Sequence, residues 1–266
     1  MLPEKRKGAK SAKEIPAEIL CQLNSGKIET ANLVEWLAVD QKILLKNLLW
    51  ELEKPHYLEP ILLDVKNLQK QTVNTVNQTI GIGLFVQMEI HNEYYLLDKI
   101  SNHNSDLVRC WATYIISQKH KKVEELFEKI KPFANDTHFG VREISWLAIR
   151  SMIIENLAES ITILSDWTKD ENENSRRFAS EATRPRGVWS EHIEDLKKNP
   201  ELALPLLESL KSDPSKYVQN SLANWLNDAG KTRPDFVIAL TNKWKLESKT
   251  KETEFIIKRA LRNIKS

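Results

Sequence analysis

The stretch Asp106-Leu107-Val108-Arg109-Cys110-Trp111-Ala112 returns three more times along the chain in altered spelling. It comes back as Asp136 followed by Val141-Arg142-Glu143-Ile144-Ser145-Trp146, then as Asp170 followed by Ser175-Arg176-Arg177-Phe178-Ala179. The last copy is Asp213 followed by Tyr217-Val218-Gln219-Asn220-Ser221-Leu222-Ala223. The recurring element is an acidic turn residue, a few polar positions, and then an apolar-plus-basic helix start. The steps from Val108 to Val141 to Ser175 are about one helical hairpin long. The final step is longer, with Thr183-Arg184-Pro185-Arg186-Gly187-Val188-Trp189 as the apparent insertion. A single hairpin cannot bury its apolar face, so copies at this period stack on one another and the stack curves.

The expected fold class is therefore all-α: a HEAT-like helical-repeat solenoid, an α–α superhelix whose concave face is the binding surface. From Leu84 onward apolar positions recur at helical spacing, with no sustained alternation of period two and no Asn-Gly or Asp-Gly hairpin signal. Seven glycines in 266 residues suit helices joined by short turns. Residues 1–13 are lysine-rich and polar, and read as a flexible basic arm. Residues 14–266 read as one helical-repeat domain, with 14–80 as divergent N-terminal helices. In that region a helix over about 15–23 is expected, then one capped by Thr30 and one capped by Asp40. Trp36, Trp50, Trp111 and Trp167 sit in apolar helical patterns and are expected in the core.

Hydrophobic residues make up 41% and charged residues 29% of the chain, yet the net charge is only +2. Any nucleic-acid surface must then be local. Cys21 and Cys110 have no metal-ligand or CxxC spacing, which fits a reducing compartment. The N-terminus lacks the apolar segment of a signal peptide, and no apolar run reaches the length of a membrane span. A cytoplasmic monomer with no membrane partner, no metal and no cofactor is the expectation. No GxGxxG, P-loop, HExxH or Ser-His-Asp signature is present.

The densest chemistry lies in RRFASEATRPRGVW, residues 176–189. Arg177, Glu181 and Arg184 fall at i, i+4 and i+7, on one stripe of a helix that Pro185 stops. Arg184 and Arg186 then sit in a stiffened loop, where a planar guanidinium is suited to gripping phosphate oxygens in pairs. Glu181 reads as the anchor orienting Arg177 and Arg184. Arg176 is divided between phosphate contact and an ion pair with the next repeat's aspartate, and Trp189 between DNA contact and a core plug.

Together with DPSKYVQNSLANWLNDAGKTRPD, residues 213–235, this stretch resembles the C-terminal repeats of the bacterial HEAT-like DNA alkylation repair glycosylases, the AlkC/AlkD group, and more nearly its AlkC side. The likeness covers roughly residues 84–245. It implies hydrolysis of the N-glycosidic bond of alkylated purines of the 3-methyladenine and 7-methylguanine type in duplex DNA held on the concave face. Water is the nucleophile, and the base is not fully extruded. A cationic lesion already has a weakened bond, so what remains is to stabilise an oxocarbenium-like sugar with a carboxylate and aromatic faces.

The likeness assigns the catalytic carboxylate to Glu143, in Phe139-Gly140-Val141-Arg142-Glu143-Ile144-Ser145-Trp146. Glu143, Trp146 and Arg150 share a helix stripe at i, i+3 and i+7. DNA contacts are carried to Arg142, Trp146, Arg176, Arg177, Arg184, Arg186, Trp189, Asn227 and Lys231. Two departures stand out: Glu143 follows Phe139 and Gly140 where AlkD-type relatives place an aspartate after a Trp-Trp pair, and Asn224 replaces a second aromatic. Thr232-Arg233-Pro234-Asp235 reads as a capping box. A non-catalytic DNA-binding paralogue and a HEAT-repeat protein-interaction scaffold stay open beside the glycosylase.

Overall fold

The computed structural model describes residues 6–187 and 189–264, and the regular elements there are helices alone. The first part of the chain forms α1 (Ala17–Asn24), α2 (Leu33–Ala38), α3 (Gln41–Glu51), α4 (Leu58–Lys66), α5 (Val73–His91), α6 (Leu96–Ser101), α7 (Asp106–Lys119), α8 (Val123–Ala134) and α9 (Phe139–Ala148). The remainder forms α10 (Arg150–Glu155), α11 (Leu157–Trp167), α12 (Glu173–Ala182), α13 (Glu194–Lys198), α14 (Leu204–Leu210), α15 (Lys216–Ala229), α16 (Pro234–Glu247) and α17 (Lys251–Ala260). The fold is all-α and HEAT-like, built from repeated helical hairpins. Among the described residues no helix is long and apolar enough to cross a membrane. The chain divides into two compact units: Met1–Lys121 with Asp136–Ala148, and Lys122–Asn135 with Ile149–Ser266.

In the first unit α5 packs on α7, and α7 on α9. Gly81 lets α5 approach α7 closely. A Cβ there would lie 2.6 Å from the Tyr114 Cβ and 2.9 Å from the Trp111 carbonyl oxygen, so the helix-weakening glycine is retained by packing. Trp111 is wholly buried below this contact. Trp36 is buried as expected, whereas Trp50 is 57% exposed, with Lys46 over its ring. Of the expected flexible arm, residues 1–5 lie outside the described residues, and the segment from Arg6 to Ala9 is tied down. Arg6 donates to both oxygens of the buried Glu35, and Asn32 Nδ2 donates to the Ala9 carbonyl at 2.8 Å. Asp40 caps α3 as expected. Thr30 does not cap α2; its amide and hydroxyl donate to the buried Asp106 at 3.0 and 2.9 Å, and Asn32 provides the cap.

In the second unit α12 packs on α15 and α15 on α17, with α8, α11 and α14 against α12. Trp225 and Trp244 are wholly buried there, and Trp167 packs near Phe127 and Phe178. Thr232–Asp235 is not a capping box. The residue before α16 is Arg233, which has no side-chain cap and instead bonds Asp235 and Glu201.

The repeated motif has a repeated physical job. Asp136, Asp170 and Asp213 each accept, at 2.7–2.8 Å, the amide two residues on, which makes the same aspartate turn three times. The residue at the next helix start reaches back to carbonyls of that turn. Arg109 bonds His103 and Asn104, Arg142 bonds Asp136 and Thr137, Arg176 bonds Asp170 and Glu171, and Gln219 bonds Asp213. Arg109 and Arg176 use their remaining nitrogens to grip the next aspartate, Asp136 and Asp213 respectively. Charge-assisted forks of this kind fix the angle between neighbouring hairpins.

Candidate nucleic-acid interface

Helix α12 stops at Ala182, three residues short of Pro185, as the ring's clash with a continued helix requires. The chain then makes a loop closed at its base by the Ile193 amide, which donates to the Pro185 carbonyl at 3.1 Å. Val188 within it lies outside the described residues. The loop is pinned from behind by Arg150. This side chain is buried, donating to the carbonyls of Ala182, Arg184 (2.6 Å) and Glu191 (3.0 and 3.1 Å). Backbone carbonyls, rather than a carboxylate, thus hold this guanidinium. Burial, reinforced by the charge of Arg184, pushes the Arg150 pKa down to about 10 against the opposing pull of Glu181 and Glu191. Glu143 and Trp146 lie on α9, which ends at Ala148, and Arg150 opens α10.

A guanidinium that spans two ends of one loop should set that loop's order. Arg150→Met is therefore expected to speed tryptic cleavage after Arg186 several-fold; the Arg184–Pro185 bond resists trypsin. Time-resolved mass spectrometry of the nicked chain checks this, and an unchanged rate would remove Arg150 from that role.

Around the loop lies an ion-pair network. Glu181 is buried, accepting from Arg184 Nη1 at 2.7 Å and from Ser221 Oγ at 2.7 Å, with Arg177 Nη2 at 3.6 Å. Burial opposes its ionisation, but the charges of Arg177 and Arg184 and the bonds from Arg184 and Ser221 prevail, so its pKa falls below the ordinary carboxylate value. Arg184 also donates from Nε and Nη2 to Asp228 Oδ2, at 2.9 and 2.6 Å. Lys231 closes the chain on Asp228 Oδ1 at 2.8 Å, keeping half of its side chain in solvent. Arg177 lies over the Tyr217 ring, 4.3 Å from its centroid.

The sequence-derived contacts thus separate. Arg142 and Arg176 hold the repeat turns, and Arg176 is further spent on Asp213. Arg184 is consumed by Glu181 and Asp228. Asn227 is buried, donating to the Ala260 carbonyl and accepting from Asn263. Trp146 is only 6% exposed, its indole N–H donated to Glu143 Oε2 at 3.0 Å. Each of these side chains is engaged inside the protein, and a donor held there gains less from turning to phosphate than an uncommitted one.

Glu143, Arg186, Trp189 and Lys231 each keep some surface in solvent. Glu143 is half-buried on α9 in the first unit. In the second unit Trp189 is 68% exposed, which excludes a core plug. Arg186 has no carboxylate partner among the described residues, and its Nε is buried without a hydrogen-bond partner there. An aromatic face and an uncommitted guanidinium three residues apart, on a loop braced from behind, can stack on a base or sugar and fork a phosphate. Among the described residues no group of three or more His, Cys, Asp and Glu side chains is disposed to hold a metal ion.

Residues 144–264 match the family model described as DNA alkylation repair enzyme. The segment includes Arg150 and the whole 176–189 stretch; Glu143 stands one residue before it. The chain is similar to the uncharacterized protein YhaZ of Bacillus subtilis (strain 168), 36% identical over 137 residues, which are 52% of this chain and 37% of YhaZ. Its fold resembles that of the Pseudomonas fluorescens alkylpurine DNA glycosylase AlkC bound to DNA containing an abasic site analog. There the TM-score is 0.64 at 23% identity, over 96% of this chain and 65% of that one. It also resembles AlkD2 from Streptococcus mutans, with a TM-score of 0.61 at 22% identity over 79% of this chain and all of that one. The chain thus spans about two thirds of AlkC and little more than a third of YhaZ.

Proposed function

We propose that the chain, whose residues 144–264 match the family model described as DNA alkylation repair enzyme, is a monofunctional DNA glycosylase that hydrolyses the N-glycosidic bond of alkylated purines in duplex DNA. Beyond the family, this reading rests on the braced loop. Arg186 and Trp189 are left uncommitted by the interior of a protein that pairs most of its other arginines. In this reading Arg186 holds a backbone phosphate and Trp189 lies against the sugar or base beside the lesion. Glu143 stabilises the positive charge that develops on the sugar as the base leaves, and orients the attacking water. The water's oxygen bonds to the sugar carbon, its proton is lost to solvent, and the glycosidic electron pair leaves with the base. An alkylated purine departs neutral, so no acid is needed to protonate it.

Exposed as it is, Trp189 contributes little to folding. Trp189→Ala should shift stability by less than about 0.5 kcal/mol while weakening duplex binding by on the order of 1 kcal/mol. Fluorescence anisotropy with a duplex carrying an abasic-site analogue, alongside urea unfolding, separates the two effects. Wild-type affinity should also fall steeply with salt, as phosphate contacts require. Affinity indifferent to salt and to Trp189 would defeat the DNA-binding reading and favour a protein-interaction scaffold.

A further inference from the structure

The arginine loop does not exhaust the cationic surface of the second unit. Arg6, Arg109, Arg176, Arg184 and Arg233 each hold a carboxylate. Arg259 and Arg262, on α17 and the 3₁₀ turn Leu261–Asn263 after it, hold none among the described residues. The Arg262 guanidinium donates to neutral oxygens, the Arg259 carbonyl at 2.8 Å and Asn224 Oδ1 at 3.1 Å. Arg259 lies beside the Phe255 ring, its guanidinium carbon 5.6 Å from the centroid, and Lys216 of α15 covers the same ring. Lys216 also donates to a neutral amide, that of Gln219.

This arrangement repeats the one a helix earlier. Arg177 of α12 lies on Tyr217 of α15, and Lys216 of α15 lies on Phe255 of α17. Cation and aromatic therefore alternate across three successively packed helices. The row also connects to the loop's network. Burial lowers the Arg262 pKa, and the charges of Arg259 and Arg184 lower it further, against Asp228; Asp228 is itself engaged by Arg184 and Lys231. A solvated charged face usually mixes signs. Beyond Glu252 and Glu254 in the first turn of α17, cations here gather with neutral amides and an aromatic ring, and the carboxylate that acts on Arg262, Asp228, is already paired.

We propose that Arg259 and Arg262, with Lys216 and Phe255, form a second phosphate-holding subsite for the backbone of duplex DNA, one helix beyond the arginine loop. The subsite rests on the DNA-binding reading of the loop and extends the footprint along the duplex. It carries no base information, since guanidinium contacts to phosphate position the duplex and do not read it.

The test is anisotropy of wild type, Arg259→Gln/Arg262→Gln and Arg259→Lys/Arg262→Lys on an undamaged duplex over a salt series. Losing two phosphate contacts should flatten the slope of log affinity against log salt by about 1.8 and weaken binding at least roughly tenfold at moderate salt. The lysine pair should keep most of the slope. Both side chains are at the surface, so unchanged thermal melting is expected and is measured in parallel. Wild-type binding with a steep slope that the glutamine pair leaves unaltered overturns the subsite while the loop reading stands. Absence of salt-dependent binding by the wild type overturns both.

Discussion

Glu143→Gln should slow release of 3-methyladenine by roughly 10²–10³-fold while leaving duplex affinity within about twofold of wild type, the range seen when one preorganised electrostatic stabiliser is removed. The substitution is nearly isosteric. The amide oxygen of glutamine can still accept the Trp146 indole N–H that Glu143 Oε2 accepts at 3.0 Å, so α9 and its buried tryptophan stay as they are. What is lost is the negative charge. In the ground state a cationic purine carries the positive charge on the base. In the transition state that charge moves to the sugar, and a fixed carboxylate stabilises the second arrangement more than the first. Binding and chemistry should therefore separate. Anisotropy reads the first and single-turnover base release the second. A variant that releases base at the wild-type rate would remove Glu143 from catalysis.

Glu181→Ala should cost about 3 kcal/mol of stability, the lower end of what breaking a buried ion pair costs. Glu181 is 5% exposed and balances Arg177 and Arg184 from below. Removing it leaves Arg177 with its Tyr217 contact and Arg184 with Asp228, which keeps the loss from reaching the upper end. The same network makes the fold sensitive to acid in a defined sense. The folded Glu181 pKa lies below its unfolded value, so the unfolded chain takes up the proton first. The stability Glu181 supplies is complete above the unfolded carboxylate value of about 4.3 and is lost as pH falls through the depressed folded value. Urea unfolding of wild type and Glu181→Ala at neutral pH and in the acid range should show the gap between them closing as pH falls. A gap independent of pH would contradict this role.

The repeat architecture was legible in the chain because its signals are local. An aspartate two residues before an amide it can accept, and an arginine within reach of its own turn, are short-range devices that spacing reveals. The stop before Pro185 is equally local. What spacing could not show is which arginines are already spent. Arg176 finds Asp213 across 37 residues and Arg184 finds Asp228 across 44, and a motif reading sees neither partner. The same blindness hid Arg150, whose partners are backbone carbonyls 32 to 41 residues away and leave no trace in side-chain pattern. It also misjudged Trp50 and left Trp189 open between surface and core, since burial depends on which hairpin stacks above. The row of Lys216, Phe255 and Arg259 was invisible for a related reason: its members lie on two helices that only packing brings together. Thr30 lost its expected cap role to a tertiary bond with Asp106, and the neighbouring Asn32 took it.

Whether this chain is a glycosylase turns on release of 3-methyladenine from a methylated duplex, under single-turnover conditions with excess protein and EDTA present. Free base is expected to accumulate well above spontaneous depurination, leaving an unbroken strand that becomes alkali-labile at the abasic site. No release above the protein-free duplex, at protein concentrations that saturate binding, would contradict the proposed activity and leave a DNA-binding protein without glycosylase chemistry.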